Sequence, residues 1–184
     1  MWARRTPRLR ALPRTITPTG VERRLGTDEL IVSKTDPAGR IRYTNRTFAA
    51  ISGFSEDELL GAPHSIVRHP EMPRAVFKLL WDTVGAGQEL FAYVVNLCRN
   101  GDRYWVLAHV TPSFDAAGSI VGYHSNRRAP SPQAVATVRP LYARLLEIER
   151  RATDRAVGLR ESAEALQDFL REKGTTYERL IFSL

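Results

Sequence analysis

The run H-S-I-V-R-H-P-E-M-P-R-A-V-F-K-L-L-W, residues 64–81, joins a polar knot to a helix and organises the reading of the whole chain. Pro70 and Pro73 fix two φ angles within four residues and push the residues before them, His69 and Met72, out of the α region. Arg68, His69 and Glu71 are therefore expected on a stiff corner that aims their side chains. Beyond Pro73, Val76, Phe77, Leu80, Trp81 and Val84 recur at helical spacing, which predicts one buried face running back to the corner and a corner that overlooks a pocket wall. The same residues also describe a rigid start to a helix, with Arg68 and Glu71 in solvent and His69 on a backbone carbonyl.

Upstream, residues 29–33 are short and β-branched, D-P-A-G supplies turn chemistry, and residues 40–44 alternate polar with apolar, so a β-hairpin is expected. Asn45 is a natural N-cap for a brief helix carrying Phe48, Ala49 and Ile51, which Gly53 stops. Ser55 and Glu58 form the capping-box pattern of a second short helix running through Leu59 and Leu60 to Gly61. Helices this short bury little alone, so they must wrap over a sheet that forms later in the chain. The helix after Pro73 ends at Gly85 and Gly87, and strands follow at 90–98, 104–112 and 120–127, joined by the hairpin signals R-N-G-D and F-D-A-A-G-S. The register of that second hairpin is open. A two-residue type I′ loop at Asn100-Gly101 pairs Asn96 with Trp105, whereas Gly101 in a bulge pairs Asn96 with Val106.

The run at 64–81, with S-G-F-S-E-D-E-L-L-G before it and R-N-G-D-R-Y-W-V after it, closely resembles the PAS sensor domains of Aer-type energy-taxis receptors, over roughly residues 30–128. The expected order ββαααβββ agrees with that resemblance and gives an α+β fold, a five-stranded antiparallel sheet with helices on one face, plus a C-terminal helical extension. In those receptors the R-H-P-[DE]-M-P segment borders an FAD pocket, so the resemblance implies FAD bound without a covalent link. It also implies the bulged register, with Ala92, Val94, Asn96, Tyr104, Val106 and Ala108 on the pocket face and Trp105 and His109 pointing outward to a partner.

A flavin ring needs amides for its pyrimidine edge, apolar walls for its faces and cationic donors for its phosphates. Asn45 and Asn96 are the candidate amides, and Phe48, Phe54, Phe77, Trp81, Val94 and Val106 the candidate walls. Arg68 and His69 are rim contacts, with His64 and Glu71 beside them. The motif carries over at Asn45, His64, Arg68, His69, Trp81 and Asn96, whereas Glu71 stands where better-known members carry Asp, and Leu90 with Phe91 where some carry Trp. His64 and His69 also leave a haem reading open, and Cys98, expected in a strand, does not match the helix-borne cysteine of light-oxygen-voltage photoreceptors.

At 184 residues and 43% hydrophobic, the chain has material for one core with appendages: a basic disordered leader at 1–20, an N-terminal cap at 21–28, the sensor domain at 29–129 and the helical extension at 130–184. The formal charge of +7 gathers partly in that leader, so no specific nucleic-acid role is expected. In the extension, Ser131 and Pro132 start a helix with Val135, Val138, Tyr142 and Leu145 on one stripe and a kink at Pro140, and Leu159, Ala163, Leu166 and Leu170 mark a second helix. The single cysteine, the lack of a long apolar run and the missing G-x-G-x-x-G, P-loop and H-E-x-x-H motifs point to a cytoplasmic protein that is not an enzyme. With no signalling module after the core, output is expected through a HAMP-containing methyl-accepting transducer, with homodimers through the sheet or the terminal helices. The competing expectation is a PAS interaction module with an empty pocket.

Overall fold

The computed structural model describes residues 16–184. Most of the expected leader at 1–20 therefore lies outside the described residues, but its end packs: the Thr19 amide donates to the Gly101 carbonyl at 2.8 Å. After β1 (Glu22–Arg23), the hairpin of β2 (Ile31–Thr35) and β3 (Ile41–Thr44) closes through the Asp36 turn, with Gly39 at a φ of 75°. Asn45 caps α1 (Arg46–Ser52), and Gly53 ends it at a φ of 73°. Ser55 and Glu58 make the reciprocal capping box of α2 (Glu56–Leu59). A single 3-10 turn, His64–Val67, leads into the corner, and α3 (Arg74–Gly85) follows Pro73.

β4 (Leu90–Leu97), β5 (Arg103–Phe114) and β6 (Ile120–Arg128) complete a curled sheet whose strands run in the order β4, β5, β6, β2, β3. β5 pairs with β4 from Arg103 to Val110 and with β6 from Leu107 to Phe114. The two residues of β1 add a sixth, parallel strand beside Arg103 and Tyr104, so the sheet is mixed at that edge rather than wholly antiparallel. Asn96 pairs with Tyr104, which is neither of the two registers expected. The reason is a three-residue turn: Gly101, at a φ of 94°, donates to the Cys98 carbonyl, and Cys98 pairs with Asp102. Cys98 thus sits at the start of the turn, one residue past β4. The faces nevertheless match those of the bulged register, because the two registers differ by an even number of residues. Ala92, Val94, Asn96, Tyr104, Val106 and Ala108 share the inner face.

The outer face is closed by the chain's own C-terminus, through α4 (Pro132–Arg151) and α6 (Tyr177–Phe182), while α5 (Arg155–Glu172) packs on α4 and α3. Trp105, expected to be available to a partner, is 5% exposed beneath α4, with its ring 6.2 Å from that of Tyr142. The Tyr142 hydroxyl donates to the Tyr93 carbonyl at 2.7 Å. His109 stacks on Phe91 at 4.0 Å, and Phe182 of α6 closes over Phe91. Helices therefore cover both faces of the sheet. α4 continues as one helix through Pro140, which is exposed. No helix among the described residues is long and apolar enough to cross a membrane.

Tyr142→Phe is expected to lower the free energy of unfolding by about 1–3 kcal/mol, because it leaves a buried carbonyl short of a partner. Urea denaturation followed by circular dichroism measures this, and an unchanged midpoint would show that the bond does not anchor α4.

Candidate functional site

Between the inner face of the sheet, the 3-10 turn, α3 and α5 lies a cavity of about 600 Å³. Strand alternation supplies its floor: Val94 and Asn96 from β4, Ala108 and Val110 from β5, Ser125 and Arg127 from β6, and Ser33 and Thr35 from β2. His64, Val67 and Arg68 form one wall, Phe77, Leu80 and Trp81 of α3 another, and Arg155 and Leu159 of α5 reach in from the C-terminal helices. The Arg68 backbone bridges to Asn96, which ties the stiff corner to the end of β4, and its guanidinium lies 4.4 Å above the Phe77 ring.

Of the residues named from the sequence, His64, Arg68, Phe77, Trp81, Val94 and Asn96 line this cavity. Asn45 does not: its Oδ1 accepts from the amides of Val32 and Phe48, and its Nδ2 donates to the Leu30 carbonyl, so both ends of its amide are engaged around the start of α1. Phe48 lies behind the lining, stacked on His64 at 5.9 Å and facing the Arg127 guanidinium at 5.2 Å. Phe54 and Val106 are buried in the core away from the cavity lining. His69 and Glu71 sit on the far side of the corner, where His69 Nδ1 accepts from the Glu71 amide and the Glu71 carboxylate accepts from Arg103. Trp81, expected on the buried face of α3, is 42% exposed. α3 buries Ala75, Val76, Leu80 and Val84, and Trp81 falls just past that stripe, at the cavity mouth, edge-on to Tyr123 at 5.3 Å.

The residue that sequence reasoning missed is Arg127. It is 4% exposed, its Nη2 donates to Ser33 Oγ at 3.0 Å and to His64 Nε2, and no carboxylate pairs with it among the described residues. Burial lowers its pKa to about 10, which leaves it a cation at neutral pH. The same burial, and then the neighbouring Arg127 charge, hold His64 well below its ordinary value, so His64 is neutral and its Nε2 accepts. Alternation along Y-H-S-N-R, which sets Arg127 on the face of Tyr123 and Ser125, was the available signal. Four polar atoms on lining residues have no partner within the protein: Thr35 Oγ1, Asn96 Nδ2, Ser125 Oγ and Arg127 Nη1. A buried uncompensated charge costs several kcal/mol, so donors gathered in an apolar-walled cavity fit a planar ligand rich in acceptors. Among the described residues no group of three or more His, Cys, Asp or Glu could hold a metal ion.

The family model for the PAS fold matches residues 31–125. The aerotaxis receptor of Escherichia coli K12 is 40% identical over 121 residues, which are 66% of this chain and 24% of that receptor. The bacterioopsin transcriptional activator of Halobacterium salinarum is 28% identical over 93 residues, 50% of this chain and 14% of that protein. The matched part of the chain thus spans a quarter or less of these relatives. Among solved structures, the light state of the blue-light photoreceptor Aureochrome1 LOV superposes with a TM-score of 0.51 at 28% identity, covering 66% of this chain and 91% of that one. A PAS domain from Colwellia psychrerythraea superposes with a TM-score of 0.51 at 18% identity, covering 55% and 86%, which is a likeness of fold alone.

Because His64 is neutral in the folded state, the unfolded chain binds a proton there below about pH 6.5 that the folded chain does not. Stability is therefore full above that pH and falls as pH drops below it, with a slope of about 1.4 kcal/mol per pH unit for each such histidine. His69 and His124, also lowered by burial, add to the same slope. Urea titrations at pH 7.5 and 5.5 should show a smaller loss for His64→Gln than for the natural chain, and equal losses would place His64 in contact with water.

Proposed function

The chain belongs to the PAS fold family, and from that premise we propose that it is a redox or energy sensor that holds FAD non-covalently in the cavity and signals to a separate transducer. The observation that carries this reading is the set of unpartnered donors, Asn96 Nδ2 and Arg127 Nη1 above all, on residues that line an apolar-walled cavity of about 600 Å³. The 40% identity to an aerotaxis receptor and the Aer-type motif at 64–73 support it. When bound, FAD supplies a ring whose redox state follows electron-transport activity. Asn96 and Arg127 would hold the acceptor edge of that ring, and the Arg127 charge would favour whichever redox state is the more negative. Val94, Leu80 and Phe77 would exclude water from its faces, and Trp81 stands at the mouth.

Of the two asparagines, only Asn96 has an amide nitrogen without a partner, so it replaces Asn45 in this role. A haem reading fits less well, since His64 Nε2 already accepts from Arg127 and His69 Nδ1 from the Glu71 amide. Cys98 is buried against the Ile51 carbonyl and does not line the cavity, so it supports no covalent flavin chemistry. We place the protein in the cytoplasm, reaching the membrane only through a HAMP-containing methyl-accepting transducer, and it acts as a receptor rather than an enzyme. With the outer sheet face covered by α4 and α6, the terminal helices are the surface through which two copies or a transducer would meet.

The visible spectrum of the purified chain tests the reading: a flavin band supports it, whereas a Soret band or a folded, colourless preparation that takes up no flavin overturns it. Asn96→Ala is expected to weaken FAD binding about 5- to 150-fold, the cost of one buried hydrogen bond at about 1–3 kcal/mol. The apo-protein's thermal unfolding should change little, because Nδ2 makes no well-formed hydrogen bond within the protein, Tyr104 being its polar neighbour. Unaltered FAD affinity in that variant would remove Asn96 from the site.

A further inference from the structure

α3 and α5 pack side by side and leave between them a groove of about 660 Å³, in which no strand residue takes part. Its floor is apolar, from Ala75 and Leu79 of α3 and Leu159, Ala163 and Leu166 of α5. Its rim is charged. Lys78, Arg160 and Arg171 set three cations there against the three anions of Asp82, Glu164 and Asp168, so the rim has no net charge in a chain that carries +7. These groups pair only within their own helices: Lys78 with Asp82 at 2.6 Å, Arg160 with Glu164 at 3.9 Å, and Arg171 with Asp168. Each of the six side chains is at least 46% exposed. Exposed pairs along one helix hold weakly and are free to exchange partners. α5 lies beyond residues 31–125, which the PAS family model matches, so this groove exists only through the chain's C-terminal extension.

We infer that this groove docks a second copy of the chain, α5 against α5 in antiparallel sense, about a two-fold axis at Ala163. Charge complementarity selects that occupant. A partner of one charge sign would meet like charge on half of the rim, and elsewhere the positive excess makes copies of this chain repel each other. The rim, however, matches itself. Residues equally far from Ala163 in opposite directions face each other across the axis, which sets Arg160 of one copy level with Leu166 of the other, between Glu164 and Asp168. The two-fold repeats that contact, so each copy gives one cation and receives one. Ala163, small and on the axis, lets the two helices come close enough to cover the leucines of the floor. The inference rests on the assignment above of the terminal helices as the surface where two copies meet, and it does not depend on the flavin.

Sedimentation equilibrium of the full chain tests this, and the natural chain should show a monomer–dimer equilibrium. Arg160→Glu and the double variant Glu164→Arg, Asp168→Arg each set like charges against each other in their own homodimer. Each alone should therefore raise the dissociation constant about tenfold or more. In an equimolar mixture the two should pair again, because every contact between Arg160 or its replacement and the opposing acidic pair or its replacement then joins opposite charges. Net charge does not explain such a recovery, since the mixed pair is more positive than two natural chains. The substituted side chains are exposed, and far-ultraviolet circular dichroism certifies the fold of each variant. A natural chain that stays monomeric up to its solubility limit overturns the proposal. Variants that remain dimeric alone overturn the groove and leave the terminal helices standing as the meeting surface at another face. Variants that dissociate but do not pair on mixing overturn the register about Ala163. The expected results in a chain that takes up no flavin uphold the groove while the flavin reading falls.

Discussion

Gly101, at a φ of 94°, closes the three-residue turn between β4 and β5, and the arrangement of both sheet faces depends on the register it sets. Side chains alternate along a strand, so a slip of one residue between β4 and β5 would exchange the faces of one strand relative to the other. Asn96 opposite Tyr104 keeps the amide toward the cavity and Trp105 toward Tyr142. The glycine is required twice over. Its φ is one that other residues rarely adopt, and a Cβ there would stand 2.2 Å from the Thr17 carbonyl oxygen, so the incoming chain packs where a side chain would be.

The cavity then owes its character to one buried charge. Arg127 links β6 to Ser33 of β2 and to His64 of the 3-10 turn, three parts of the chain that meet only in the folded state. Its Nη2 is satisfied and its Nη1 is not, so the protein holds the guanidinium in place while leaving the two Nη1 hydrogens without a partner. Truncating such a group would relieve a desolvation cost as well as remove a tether, which separates the effect of Arg127 on ligand binding from its effect on stability. Behind it Phe48 packs against both Arg127 and His64, so the apolar core itself sets the position of the charge.

The C-terminal helices belong to the same structure rather than hanging from it. Glu149 of α4 accepts the Ala75 amide at the start of α3, a helix whose N-cap, Pro73, offers no side-chain acceptor, and thereby serves a helix end in the part of the chain that frames the cavity. Arg74 answers by pairing with Glu149 and donating to the Arg155 carbonyl at 2.7 Å. Gly158 lets α5 approach, since a Cβ there would meet Ala152 at 2.9 Å. The start of α3 is therefore tied to both α4 and α5 by direct contacts.

The caps at Asn45 and Ser55, the turn at Asp36, the corner around Pro70 and Pro73 and the stripe of α4 were all legible in the sequence, as was the PAS topology they imply. Each is set by φ restriction, capping or periodicity acting within a few residues, and such forces leave their mark on the local sequence. Six of the twelve residues named for the site line the cavity for the same reason: they lie on the corner, on α3 or on the alternating face of β4. What only the tertiary structure decided depends on elements far apart in the chain. The N-G turn permits several registers, and the choice is made with the Thr17 to Thr19 segment packed against it. Arg127 becomes a buried cation only when β6 lies beside β2, Trp81 becomes a rim residue only when Tyr123 stands across the mouth, and Trp105 is covered only when α4 folds back. In each case the deciding partner is supplied by long-range pairing; alternation along β6 places Arg127 on a face, but no local pattern records what covers it.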